Sequence, residues 1–164
     1  MVKKRFRAGN SGRGQTARDI MVTRLHTVRP DDRVYLAIQV LLKFSISGAP
    51  VVDEQHRLVG ILSEKDGIRA LIRAVHERMP PARVRDVMST ELITVTEDAH
   101  LMHIAEIFLH HPVRRLPVVS ASGILIGQIS RRDLLAAVSQ IFGKASTRES
   151  AIISLLSQEA SEQQ

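Results

Sequence analysis

Two short stretches carry the side chains of this sequence best suited to chemistry, Ser63-Glu64-Lys65-Asp66 and Ser130-Arg131-Arg132-Asp133. Each follows a β-rich run (Leu58–Leu62 and Ile124–Ile129) and precedes a segment of helical periodicity, so each reads as a strand running straight into a helix. At such a junction backbone N–H groups and the positive end of a helix dipole converge. A hydroxyl and a carboxylate three residues apart stand beside them. That corner can hold a phosphate and a ribose, since two ribose hydroxyls fit one carboxylate as donors. The same spacing is also a capping signature, with Ser at the N-cap and an acid three residues on. The chain has Glu at Ser146-x-x-Glu149, where only a cap is needed, and the shorter Asp at the other two. The shorter acid favours a ligand role; the cap stays as the alternative.

Other chemistries find little support. Without cysteine there is no disulfide, no thiolate nucleophile and no sulfur-based zinc site. His103, Glu106 and His110 share one helix face, as metal ligands do, but they form the polar stripe opposite Ile104 and Phe108, where solvated residues belong. No metal is expected. No nucleophile–base–orienter set is apparent, and a bound nucleotide without a placed base or metal is not turned over. The chain therefore reads as a binding protein, not an enzyme. No run approaches the ~18 apolar residues of a membrane span. Lys3-Lys4-Arg5 is not followed by the apolar stretch of a signal peptide, so the expected compartment is the cytoplasm.

Of the net charge of +6, five charges belong to Lys3, Lys4, Arg5, Arg7 and Arg13. The rest of the chain is nearly neutral. Residues 1–15 are Gly-, Arg- and Lys-rich with little to bury, and disorder is expected there. A nucleic-acid arm would need stacking platforms, and this tail offers only Phe6.

The elements that must position the two corners are themselves duplicated. Asp133 lies 67 residues after Asp66, and the same offset runs without a gap from Arg18 to Leu71. It maps Arg18-Asp19-Ile20-Met21 onto Arg85-Asp86-Val87-Met88, Pro50-Val51-Val52 onto Pro117-Val118-Val119, and Leu58-Val59-Gly60 onto Leu125-Ile126-Gly127. Each copy reads as a helical turn, a brief strand (Leu25–Val28 in the first), an amphipathic helix, two strands and a closing helix. Asp31 and Asp32 are N-cap candidates for the first amphipathic helix. Its apolar face is Val34, Ala37, Ile38, Leu41 and Leu42, matched by Leu101, Ile104, Ala105, Phe108 and Leu109. The closing helices are expected to bury Ile68, Leu71, Ile72 and Val75 in the first copy, and to use Leu135, Val138, Ile141 and Phe142 in the second. Pro80-Pro81 separates the copies. A last helix, capped by Ser146 and Glu149, would carry Ile152, Ile153, Leu155 and Leu156.

A three-stranded sheet with helices on one face leaves its other face bare, and a unit of ~60 residues in that state is marginal. Two such units packed sheet to sheet solve this and create a pseudo-twofold axis with two equivalent clefts. The expected class is therefore α+β, two tandem β-α-β-β-α units. The boundaries are a basic tail at 1–15, units at 16–79 and 85–142 with a linker at 80–84, and a C-terminal helix and tail at 143–164.

Pro50-Val51-Val52-Asp53, then Leu58 to Ser63 and Asp66, repeated as Pro117-Val118-Val119 and Gly127 to Asp133, resembles a tandem CBS-domain pair, or Bateman module. The resemblance covers residues 16–142. It implies a regulatory module for an adenosine-containing ligand (AMP, ADP, ATP, S-adenosylmethionine, sometimes a dinucleotide), frequent homodimerisation, and action on an effector protein. Some family members bind nothing and serve as structural or dimerising modules, which is the second reading. The resemblance further implies that each Asp holds ribose hydroxyls, each Ser sits near ribose or phosphate, and the base contacts the other repeat. On that crossing, Ser63 and Asp66 share a cleft with Thr94, Val95, Val113, Arg114 and Arg115. Ser130 and Asp133 share theirs with Thr27, Val28, Ile46, Ser47 and Gly48. Arginines suit phosphate oxygens, so the Asp66 cleft is expected to take the phosphorylated ligand and the Asp133 cleft, without such an arginine, a less charged one or none.

Overall fold

The computed structural model describes residues 3–6, 15–78 and 82–143. The elements are β1 (Lys3–Phe6), α1 (Ala17–Ile20), α2 (Val34–Lys43), β2 (Gly48–Val52), β3 (Leu58–Ser63), α3 (Glu64–Glu77), α4 (Val84–Val87), β4 (Leu92–Val95), α5 (Leu101–His110), β5 (Arg115–Val119) and β6 (Leu125–Ser130), with a helix α6 over 131–143. β2–β3 and β5–β6 are antiparallel hairpins in the same register, from Gly48↔Ser63 and Arg115↔Ser130 to Val52↔Leu58 and Val119↔Leu125. Even the irregularity repeats, at Val51/Val52 and at Val118/Val119. In both β2 and β5 the last four residues are buried in succession, as strands covered on both faces are.

The two units exchange their leading segments. Val22 pairs with Gln128, and the equivalent Ser89 pairs with Ile61. The first N–H of α2 has no intrahelical acceptor and must find one elsewhere. Val34 N donates to the Ala82 carbonyl at 2.9 Å, and the equivalent Leu101 N of α5 donates to Gln15 at 3.1 Å. Ala17 N in turn reaches Ala99 O at 2.8 Å, as Val84 N reaches Asp32 O at 2.9 Å. Each unit's amphipathic helix is thus capped by backbone from the other. This corrects the expectation for Asp31 and Asp32: the N-cap of α2 is Arg33, without a side-chain bond, while Asp32 Oδ2 accepts from Arg29 N at 2.8 Å and Asp31 pairs with Arg85.

The core follows the exchange. One cluster gathers Val95, Ile104, Phe108, Leu116 and Ile129 of the second unit around Ala17, Ile20 and Met21 of the first. Its counterpart gathers Ala37, Leu41, Val51 and Leu62 around Val84, Val87 and Met88. A third, Val52, Leu58, Leu92, Val119 and Leu125, lies between the hairpins.

Three expectations are corrected. The segment Leu25–Val28 forms no ladder; only Val28 bridges Val51. Its counterpart β4 is a strand because β1 pairs with it in parallel, from Lys3↔Leu92 to Phe6↔Val95. Residues 3–6 are therefore not disordered. The closing helices leave their apolar rows outside: Ile68, Leu71, Ile72 and Val75 of α3, and Leu135, Ile141 and Phe142 of α6, are exposed, Val75 at 81%. Leu42 and Leu109, at the margin of the amphipathic faces of α2 and α5, are exposed as well. Helix α3 touches the body through Gly67 and Ala70, and α6 through Leu134 and Ala137. The expected last helix and the Pro80-Pro81 linker lie outside the described residues.

Candidate functional site

Both strand-to-helix corners form full capping boxes. Ser63 N and Ser63 Oγ donate to Asp66 Oδ2 at 2.9 and 2.5 Å, and Asp66 N returns a bond to Ser63 Oγ at 3.3 Å. Ser130 and Asp133 repeat this at 2.7, 2.7 and 3.2 Å. The short acid does not by itself mark a ligand site. Asp19 closes the same box on Thr16 at the start of α1, and Asp86 accepts from Arg83 N at 2.9 Å at the start of α4. At Asp19 the hydrogen bonds from the Thr16 backbone and hydroxyl, helped by Arg18, outweigh desolvation and hold the carboxyl below its usual range. What sets Asp66 and Asp133 apart is position. Both are half-buried. The cap occupies Oδ2, while Oδ1 accepts from no donor among the described residues. A carboxylate oxygen has room for two donors.

Beside Ser130 and Asp133 opens a recess of about 210 Å³ walled by both units. The first unit contributes Val22, Arg24, Leu25, His26, Ile46, Gly48 and Pro50; the second contributes Arg115 and Gln128. The exchange seen in the fold brings them together, since Val22 and Gln128, one from each unit, both line it and are joined by backbone bonds of 2.9 and 3.0 Å. His26 lies flat on Phe44, ring centroids 3.5 Å apart and planes 12° off parallel, which fixes the imidazole at the wall. Three side chains able to carry positive charge, Arg24, His26 and Arg115, therefore share a recess with one carboxylate.

This redistributes the residues expected from the sequence. Ile46, Gly48, Ser130 and Asp133 do line one recess. Thr27, Val28 and Ser47 do not appear on its wall. Val28 is buried at its bridge to Val51, and the Ser47 carbonyl accepts Glu64 N at 3.1 Å, at the start of α3. The expectation that no arginine serves Asp133 is corrected, because Arg115 lines that recess. Gly48 and Arg115 are repeat equivalents that pair with Ser63 and Ser130 respectively, and both line the Asp133 recess. On the Asp66 side, Thr94 and Val95 are buried in β4, Val113 packs against the core, and Arg114 is exposed. The equivalents of Arg24 and His26 there are Glu91 and Ile93. Val22, Arg24, Leu25, His26, Pro50 and Gln128 went unpredicted; the signal for them is the cross-unit pairing, which a repeat offset does not reveal.

Residues 17–73 and 84–140 each match the CBS domain family. The chain is a tandem CBS pair. Among known proteins the pair is 36% identical over 119 residues to inosine-5'-monophosphate dehydrogenase of Methanocaldococcus jannaschii, covering 73% of this chain and 23% of that protein. It thus spans about a quarter of the length of the first such relatives. Among solved structures, CBSX2 of Arabidopsis thaliana in complex with AMP superposes with a TM-score of 0.70 at 33% identity, over 78% of this chain and 98% of that one. The CBS domain pair of protein MJ0100 in complex with 5-methylthioadenosine and S-adenosyl-L-methionine gives 0.65 at 25% identity, over 81% and 99%.

Two further recesses lie along α3, one of about 550 Å³ beside Leu71, Ile72, Val75, His76 and Arg78, the other of about 240 Å³ between Arg73, Glu77, Ala82 and Asp86. His103 Nδ1 lies 3.6 Å from Glu106, and His110 is exposed. No cluster of three or more metal-ligating side chains occurs among the described residues, and none of their helices is long and apolar enough to cross a membrane.

Proposed function

We propose that this CBS pair is a regulatory sensor of an adenosine nucleotide, AMP, ADP or ATP, bound first in the Asp133 cleft. The observation that carries the reading is the recess where Asp133 and Ser130 of one unit meet Arg24 and His26 of the other, with Arg115 beside them. Asp133 Oδ1 accepts the ribose hydroxyls while its Oδ2 keeps the cap, so binding costs the fold nothing at that corner. Arg24 and Arg115 take the phosphate, as guanidinium groups do. A ligand touching both units favours the relative orientation it fits, and it shifts the population only by its difference in affinity between orientations. Complexes of similar pairs with AMP and with S-adenosyl-L-methionine support the ligand class. The similarity to inosine-5'-monophosphate dehydrogenases covers about a quarter of those enzymes, and their activity is not carried over. The chain acts by binding, in the cytoplasm, as a homodimer docked through the exposed rows of α3 and α6, on an effector still to be found.

The test is a thermal-shift and calorimetric titration with AMP, ADP, ATP and S-adenosylmethionine on the wild-type chain and on Asp133→Ala. A ligand that binds only the folded state raises Tm, by about 2.7 kcal/mol of stability at a hundredfold excess over Kd. No shift with any of these ligands leaves the structural dimerisation reading in place. A shift that survives Asp133→Ala undiminished removes the assigned cleft.

A further inference from the structure

The wall of the Asp133 recess holds one polar side chain that neither the ribose nor the phosphate uses. Gln128 is 9% exposed, and its side-chain amide makes no hydrogen bond to any described residue. Its backbone is already satisfied, since Gln128 N donates to Val22 O at 3.0 Å and its carbonyl accepts Val22 N at 2.9 Å. Side chains alternate along a strand. Gln128 therefore shares its face of β6 with Ser130, while Ile129 between them belongs to the core. Gln128 and Ser130 both line the recess, as do Gly48 and Pro50, which alternate in the same way on β2. The small surface left to Gln128 thus opens into the recess. An amide buried without partners is costly, and the fold does not need one at this place. The repeat equivalent is Ile61, which makes the same pair of backbone bonds, 3.0 and 2.9 Å, with Ser89.

We infer that Gln128 reads the base of the ligand in the Asp133 cleft: its amide oxygen accepts from the exocyclic amine of adenine, and its amide N–H donates to the neighbouring ring nitrogen. This rests on the nucleotide-binding reading above and deepens it, since it names the residue that sets base specificity. The carboxylate of Asp133 suits ribose hydroxyls and the guanidinium groups suit phosphate, which leaves the neutral amide, donor and acceptor at once, for the base. Val22, Ile46 and Pro50 beside it supply apolar surface for a planar ring. An amide and adenine form a bidentate pair. The amide can also turn over to meet the carbonyl edge of hypoxanthine or guanine, so the base it disfavours is a purine with no exocyclic group. Ile61 offers no such pair, and the two Ser-x-x-Asp corners are therefore unlike in what stands two residues before the serine.

The experiment is calorimetric titration of the full-length chain with AMP and with purine riboside 5'-monophosphate, which keeps the ribose, the phosphate and the ring nitrogens and has hydrogen in place of the amine. The wild-type chain is compared with Gln128→Met, which keeps the length of the side chain, and with Gln128→Ile, which copies Ile61 of the first unit. The wild-type chain should prefer AMP by about tenfold, the size of a bidentate contact between an amide and a base. Both variants should bind AMP about tenfold more weakly and prefer neither ligand. Circular dichroism and thermal melting confirm that they fold, and the wild-type comparison of the two ligands decides the matter even if a variant does not. An equal loss for both ligands on substitution would mean that Gln128 shapes the recess without reading the base, and overturns the inference. A wild-type chain that binds the two alike, and loses both with Asp133→Ala, overturns it too but leaves the sensor reading standing. If the wild-type chain binds neither ligand, or binds them undiminished with Asp133→Ala, both fail.

Discussion

Met21 of the first unit packs onto Gly127 of the second. A side chain at Gly127 would set its Cβ 2.8 Å from Met21 Cγ and closer still to the sulfur. Gly60 faces Met88 in the same way, at 2.9 Å from its Cγ. The absent side chain is what lets each short leading helix lie on the other unit's last strand, so these two contacts hold the exchange in place. Gly127→Ala should destabilise by about 1–3 kcal/mol, the usual cost of overpacking. Combined with Met21→Ala it should cost less than the sum of the single changes, with a coupling of about 0.5–3 kcal/mol. Urea unfolding of the four chains measures this; additive effects would mean the contact does not couple the units.

The duplication, the hairpins and both Ser-x-x-Asp corners were legible because each is written locally, in alternation, turn residues and a fixed offset. Three things were not. The closing helices carry a clear apolar stripe, and periodicity cannot say whether a stripe meets the core or another molecule; Gly67 and Ala70 make the inward contact, and Ile72 and Val75 are left outside. The caps of α2 and α5 are backbone carbonyls of Ala82 and Gln15, far away in sequence and indifferent to side-chain type. The wall of the Asp133 cleft depends on the Val22–Gln128 pairing, a relation between copies, whereas the offset records only relations within the repeat.

Asp53 offers a pH test of the turn between β2 and β3. Burial alone would raise its pKa, but hydrogen bonds from the Arg57 N–H and guanidinium, the Arg57 charge and the Gln55 N–H together hold it below the ordinary 3.8. Its bonds to Arg57 N and Nε are both 2.8 Å. A carboxyl whose folded pKa is depressed adds stability above its unfolded value and loses it as pH falls through the folded value. The difference in Tm between the wild-type chain and Asp53→Asn should hold steady from neutral pH to about pH 5, then narrow as the medium is made more acidic than about pH 4. A difference independent of pH down to complete acid unfolding would refute the assignment.

The exposed rows of α3 and α6 predict self-association. Ile72 at 61% and Leu135 at 68% exposure stand at the middle and start of these rows, outside the core clusters. Ile72→Glu or Leu135→Glu should therefore leave the unfolding midpoint of the fold nearly unchanged, as exposed substitutions do, while shifting sedimentation velocity from dimer toward monomer. A dimer unaffected by both changes would have to use another surface.

The arginines of the Asp133 cleft make the sharpest prediction for ligand choice. Arg24 and Arg115 belong to different units and line the same recess, so a phosphate held between them would bridge the two units. Replacing either with Ala should weaken ATP or AMP by about tenfold, as the loss of a charge-assisted hydrogen bond does. Adenosine has no phosphate and should bind both variants as it binds the wild type. Arg24→Lys keeps charge and loses the bidentate fork, so it should recover only part of the affinity. Competitive titration with the three ligands reads all of this, and an equal loss for adenosine would show that Arg24 and Arg115 shape the recess and do not grip the phosphate.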